Sequence, residues 1–246
     1  MLKLLHSARR HALRIFAIFA CFAAFGCDEI ASDRVLAQVL ETSGKVLAVT
    51  PSSRRTLGPG DVISTGERLE SAEGATATIS LLPGMVLQLN SGTAVTIDQL
   101  LIVKSGNDFD SPMRGRQGRL QLERGSICMT TPQIFGYLDL SIGAAAGAVE
   151  AYVPAVFYVG RDNDRLRLIV ARGEVNLVPK NRGESQVVRE REYLDCSIGS
   201  GEVLSGPRSV EDTTEAMTHF ATAIATEEKA LRFLADPVFG RPPRGF

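Results

Sequence analysis

The apolar run nearest the N-terminus, Ile15 to Gly26, is 12 residues long, against the roughly 20 that a membrane helix needs. That shortness excludes a retained membrane-spanning anchor there. The chain also lacks a charge of one sign: Lys and Arg total 27 against 28 Asp and Glu, a formal charge of −1. With no basic excess, phosphate binding through counterion release has nothing to drive it, and nucleic acid is excluded as a partner. Histidine is scarce. His6 and His11 lie in the first 14 residues, which leaves His219 as the one imidazole of the body. A His-rich metal site or a Ser-His-Asp triad is therefore hard to build, and no metal or cofactor is expected. Cysteine is equally sparse: Cys21 and Cys27 sit in the N-terminal segment, Cys128 and Cys196 in the body. An oxidising periplasm would permit the last two to pair, and two separate buried thiols are the alternative.

What is present begins with Lys3, Arg9, Arg10 and Arg14 ahead of the apolar run, the layout of a secretory signal peptide. Ala24-Phe25-Gly26-Cys27 puts small residues at −3 and −1 before a cysteine and resembles the bacterial lipobox. In that motif the thiol receives diacylglycerol and cleavage leaves it N-terminal. The family pattern prefers Leu at −3 and a small residue at −2, where this chain has Ala24 and Phe25. Cys21 is the poorer candidate, because cleavage there leaves only Ile15 to Ala20 as the apolar core, below the usual 7 to 15 or so. Cys27 is thus the expected lipidation site, with an ordinary secretory cleavage nearby as the competing reading. Asp28 resembles the signal that retains lipoproteins in the inner membrane. Removing residues 1–26 leaves 220 residues with a formal charge of −5, enough for one large β domain.

From Arg34 to Tyr193, short β-branched or Leu-rich runs alternate with period two and are broken by Gly, Pro, Asn and Asp, an all-β pattern. Ala75 to Leu82, then Pro83-Gly84, then Met85 to Leu89 reads as strand, type II turn, strand, since Pro presets φ and Gly accepts φ > 0. Three units place one glycine between apolar strands: Val39 to Val46 around Gly44, Leu120 to Ile127 around Gly125, and Leu168 to Val175 around Gly173. Such glycines let the backbone turn a corner, which suits a sheet that winds or folds on itself. After Pro207, Val210 to Asp236 carries Met217, Phe220, Ala221, Ile224, Leu231 and Leu234 at helical spacing. That predicts an amphipathic helix covering the β domain, started by a Ser209/Asp212 capping box and stopped at Asp236-Pro237.

Taken in order, these segments resemble the FecR domain family. Leu57 to Leu69 is similar to the family's "G-D-x-I-x-T-G" stretch through Gly60, Asp61, Ile63, Thr65 and Gly66. The hairpin at Pro83-Gly84 resembles its "L-x-D-G-s-x-v-x-L" segment, with Pro83 where Asp is usual. Leu122 to Ile127 and Ala171 to Val175 resemble its later glycine corners, around Gly125 and Gly173. Pro154-Ala155-Val156-Phe157-Tyr158-Val159 replaces the Gly-Thr of a "G-T-x-F-x-V" segment. The chain offers a cleavable signal where the family's iron regulator has a sigma-factor-binding segment and a membrane helix, so direct sigma-factor control is not implied.

The resemblance implies a FecR-like wound or sandwiched β domain, exported and non-catalytic, of a kind associated with envelope sensing or cell-wall proteins. The expected organisation is a signal peptide at 1–26, a tether at 27–34, the β domain at 35–206, a helix at 207–236 and a Pro/Arg tail at 237–246. Asp108 and Asp110, near Asp98, are the best enzymatic candidates, because paired carboxylates cleave glycosides. The same stretch lacks the alternating ligands and closing Glu of an EF-hand loop. Arg114, Arg116 and Arg119 with Gly115 and Gly118 predict a basic loop suited to anionic glycan or lipid headgroups. The overall expectation is a lipid-anchored periplasmic scaffold binding an envelope protein or cell-wall glycan, with a polysaccharide-acting enzyme as the alternative.

Overall fold

The computed structural model describes residues 31–106, 112–131, 136–162, 164–181, 183–204 and 206–235. The expectations placed on Cys27, on Asp108 and Asp110, and on Asp236-Pro237 and the tail lie outside the described residues. The fold is all-β with one C-terminal helix. Its strands, in chain order, are β1 (Ala31–Arg34), β2 (Ala37–Ser43), β3 (Val46–Val49), β4 (Arg54–Thr56), β5 (Val62–Ile63), β6 (Arg68–Ser71), β7 (Thr76–Leu82), β8 (Met85–Leu89), β9 (Ala94–Lys104), β10 (Met113–Thr131), β11 (Tyr137–Ala144), β12 (Gly147–Ala151), β13 (Ala155–Asp162), β14 (Arg165–Arg172), β15 (Glu174–Pro179), β16 (Gln186–Arg189), β17 (Glu192–Ser197) and β18 (Arg208–Ser209). A 3-10 turn at Val210–Asp212 precedes the helix α1 (Thr214–Ala235).

One sheet runs β4-β3-β6-β9-β10-β11-β12-β15-β16, with β1 on the same edge of β9 as β6. The other runs β5-β2-β7-β8-β10-β13-β14-β17-β18. The long strand β10 belongs to both, pairing with β9 and β11 before Gly125 and with β8 and β13 from there on. Gly44 joins β2 of the second sheet to β3 of the first, and Gly173 joins β14 of the second to β15 of the first. These three predicted corners have φ of +77°, +74° and +76° at Gly44, Gly125 and Gly173. Through them hydrogen-bonded neighbours lead from β10 by β8, β7, β2/β3, β6 and β9 back to β10, and by β13, β14/β15, β12 and β11 back again. Closure of this kind leaves few unpaired edges for other chains to join. The predicted hairpin is present too: Leu82 pairs with Met85 across Pro83-Gly84, and Gly84 has φ +72°.

The inward positions of both sheets form one continuous core that includes Val39, Ile79, Leu87, Ile127, Phe157 and Leu168, all fully buried. Full burial of a side chain of this size stabilises by about 1.5–3 kcal/mol. A second, smaller cluster lies on the outer face of the second sheet, where Cys128, Val156, Tyr158, Ile169, Ala171 and Tyr193 meet α1. The helix docks on β10, β13 and β14, through the predicted Phe220 and Ile224 but not through the predicted Met217 and Leu231. Its buried stripe is Ala216, Ala223, Thr226 and Ala230, with Phe220 and Ile224 partly buried, while Met217 and Leu231 are 37% and 48% exposed. Small side chains let the helix axis lie close to the sheet, Phe220 and Ile224 pack at its flanks, and Met217 and Leu231 turn outward. The start differs as well. Ser209 caps the 3-10 turn rather than α1, and Thr213 Oγ1 accepts the Ala216 amide at 3.1 Å, an N-cap bond.

One open alternative is decided and one expectation is corrected. Cys128 and Cys196 are free buried thiols. They lie on opposite faces of the second sheet, Cys128 under α1 and Cys196 in the main core. With β13 and β14 between their strands they are three interstrand steps apart, about 14 Å, whereas a disulfide needs Cα atoms within about 7 Å. Arg114, Arg116 and Arg119 are not in a loop but on β10. Strand alternation turns Arg116 inward, fully buried, and Arg119 to the outer face, while Arg114, the extra residue at a register shift, is exposed.

Candidate site on the outer face of the first sheet

One edge of β9 is shared by two short strands, β6 on Ala94–Thr96 and β1 on Leu101–Lys104. Between them the described backbone bonds to the edge gather at its two ends: at Ile97, whose amide donates to Glu67 O (3.2 Å) and whose carbonyl accepts the Gly66 amide (2.7 Å), and at Leu100, whose carbonyl accepts the Val35 amide (3.3 Å). Across β9, Arg119 pairs with Gln99 and Leu120 with Ile97, so Asp98 is the extra residue of a β-bulge, a device that re-aims side chains. The gap and the bulge open a groove of about 540 Å³ lined by Arg34, Thr65, Asp98, Gln99, Leu100 and Arg119. Leu100 is its buried floor.

Beside the groove, Arg119 donates to Asp139 Oδ2 at 2.6 Å and to Asp139 O at 3.0 Å. Its hydrogen bond to that carboxylate holds the guanidinium charged, above its ordinary pKa. Tyr152 donates to Glu150 Oε2 at 2.7 Å, and this bond to a carboxylate, together with partial burial, raises the phenol above its ordinary pKa. Tyr137 and Tyr152 stand 47% and 51% exposed on this face. Tyr152 falls one residue beyond the Leu140–Ala151 pair, on the strand beside β11, two residues along from the level of Tyr137. Glycine makes room for the first ring. A Cβ at Gly115 would sit 2.5 Å from Tyr137 Cδ1, so the ring lies across β10, where Gln117 Nε2 donates to its hydroxyl at 3.2 Å.

The structure thus brings together Thr65, Asp98 and Arg119, which the sequence placed in separate arguments. It leaves Gly60, Asp61 and Gly66 as turn-makers. Gly60 and Gly66 have φ of +90° and +88°, and Asp61 Oδ2 accepts the Gly58 amide at 2.8 Å. Gly125 and Gly173 are corners of the backbone. Among the described residues Asp98 is the one carboxylate lining the groove, and the nearby Asp139 is bound to Arg119. Among them, too, no three His, Cys, Asp or Glu side chains converge as metal ligands, and no helix is long and apolar enough to cross a membrane. Arg34, Gln99, Tyr137 and Tyr152 were missed from sequence. The available signal was glycine inside a strand, which marks a close approach by a neighbour.

No family profile matches this chain, and no curated protein matches it in sequence. Two crystal structures of a protein described as a "putative anti-sigma factor" from Parabacteroides distasonis ATCC 8503 are similar, at 16% identity with a TM-score of 0.42 and at 17% with a TM-score of 0.43. In each case the match covers 58% of this chain and 59% of the other, less than two thirds of that protein's length.

Proposed function

We propose that this chain is a lipid-anchored, periplasm-facing, non-catalytic scaffold of the FecR type that holds a cell-wall glycan strand against the outer face of its first sheet. The observation that carries this reading is the pair of half-exposed tyrosines, Tyr137 and Tyr152, beside a polar groove. A sugar ring presents C–H faces that pack on aromatic rings and hydroxyls that need fixed donors and acceptors. Gln99, Asp98 and Arg34 supply both. The lipobox-like ending at Cys27 and the FecR resemblance support the envelope location, and Asp28 supports the inner membrane. A protein partner on the same face is the second reading, favoured by Val153, 39% exposed next to Tyr152.

The test is co-sedimentation of the purified protein with peptidoglycan sacculi across a salt series. Salt-resistant pelleting that weakens about tenfold in Tyr137→Ala/Tyr152→Ala, a loss of about 1.4 kcal/mol, is the expected result. No pelleting would leave the protein-partner reading, to be sought by crosslinking in the envelope. Glycan cleavage abolished by Asp98→Asn would instead establish the enzyme. For the anchor, the wild type stays with membranes after a high-salt wash and Cys27→Ser is released. Retention of Cys27→Ser would remove lipidation from the account.

A further inference from the structure

On the opposite sheet, where α1 meets β13 and β14, lies a second cavity of about 260 Å³. Three guanidiniums, Arg161, Arg165 and Arg167, converge on it, with Ser126, Tyr158 and His219 completing the wall. Arg167 donates to both oxygens of the buried Asp195 at 2.7 and 2.9 Å, and Arg208 approaches the same carboxylate at 3.6 Å. Glu215 is the second carboxylate, 2.7 Å from Arg167 Nη1 and 3.0 Å from Arg165 Nη2. Arg161 meets no carboxylate among the described residues. Its Nη1 donates to the Glu123 carbonyl, and the Glu123 side chain is taken up by Arg68 at 2.8 Å. Three guanidiniums and one carboxylate, Glu215, therefore line the cavity, while Asp195 and Arg208 lie outside its lining and offset each other, which leaves an excess of two positive charges.

We propose that this cavity binds a phosphate dianion, free or as the monoester of a small headgroup. A phosphate monoester carries about −1.5 to −2 at pH 7, which matches the excess, and guanidinium forks bind its oxygens bidentately. His219 frames the cavity by stacking on Tyr158, with ring centroids 4.3 Å apart and planes at 14°. Burial, with Arg167 and Arg165 nearby, lowers its pKa against the opposing pull of Glu215. The neutral ring keeps one N–H that can donate to a bound anion. A Cβ at Gly160 would meet Tyr158 Cε1 at 2.6 Å, so glycine there leaves the ring its place.

The imidazole resonances of His219, assigned with His219→Gln, report occupancy when inorganic phosphate is titrated into the protein at constant ionic strength. The expected result is a saturable shift with a Kd of about 1 mM or tighter, weakened at least tenfold in both Arg161→Gln and Arg165→Gln. Glycerol 3-phosphate separates the sources: shifts of equal strength assign a headgroup-type ligand, and shifts with phosphate alone assign the free ion. A thermal shift with phosphate, present in wild type and lost in Arg161→Gln, checks the binding independently of the imidazole. Absence of saturation, undiminished binding by both variants, or acetate binding as tightly as phosphate would each overturn the proposal.

Discussion

Gly125 and Gly60 both hold left-handed backbone, at φ +74° and +90°, but their surroundings differ. An alanine at 60 would meet nothing within 4 Å, whereas one at 125 would sit 2.6 Å from Thr93 Cα. The left-handed conformation alone costs an L-residue about 1–2 kcal/mol, which is the loss expected for Gly60→Ala. For Gly125→Ala the neighbour must also move, and Thr93 is tied down. Its hydroxyl accepts the Ser126 amide and donates to Ser126 O, each at 2.9 Å, and its amide donates to Ser71 Oγ at 2.9 Å. Overpacking adds about 1–3 kcal/mol, and a strained Thr93–Ser126 pair about 1 more, so the expected loss is about 3–6 kcal/mol. Alanine also stiffens the unfolded chain by about 0.4–1 kcal/mol, but equally in both variants, so their difference is unaffected. Urea unfolding at unchanged m-value measures that difference directly. At about 2–4 °C per kcal/mol for a domain of this size, the two variants should also separate by several degrees on heating. Equal losses would refute the idea that the corner is held by crowding as well as by backbone conformation.

The buried Arg167–Asp195 pair sets a second expectation: Arg167→Ala or Asp195→Ala alone destabilises, but by less than the roughly 3–5 kcal/mol of a wholly unpaired buried charge, because Arg208 still meets Asp195 and Glu215 still meets Arg167, while the double variant Arg167→Met/Asp195→Leu recovers most of the loss in the same urea assay. On α1, Ala223→Leu forces the helix off the sheet and costs about 1–3 kcal/mol, whereas Leu231→Ala on the exposed side changes stability by less than about 0.5 kcal/mol; swapped magnitudes would contradict the alanine-stripe packing. Burial pushes the Cys128 thiol up to about 11, so the native protein should resist alkylation there at pH 8, and peptide mapping should find modification only after unfolding. Because this folded-state pKa lies above the unfolded one, the thiol's contribution is intact below about pH 9 and is lost as pH rises through 11, so the urea midpoint should fall across that window.

Strand periodicity and turn chemistry are local, and they were legible: the Pro83-Gly84 hairpin and the corners at Gly44, Gly125 and Gly173 stand where the sequence placed them. Errors came where packing outranks pattern. Arg114 to Arg119 read as a loop because three arginines and two glycines interrupt the alternation, yet they form a strand. Gly115 lies under the Tyr137 ring, and a Cβ at Gly118 would meet Leu140 Cδ1 at 3.1 Å. The docking face of α1 is legible at Phe220 and Ile224 but not at its alanines, which contribute little hydrophobic signal while governing how close a helix can approach. The groove itself depends on β1 and β6 sharing one edge of β9, a long-range pairing that no local window encodes.

Hydrogen exchange on the protein with and without soluble peptidoglycan fragments tests the central claim most directly. The account predicts slowed exchange confined to the groove and its flank, from β9 and β10 to Tyr137 in β11 and Tyr152 after β12, and lost in Tyr137→Ala/Tyr152→Ala. Protection on α1 and β14 instead, with the first sheet unchanged, would contradict it.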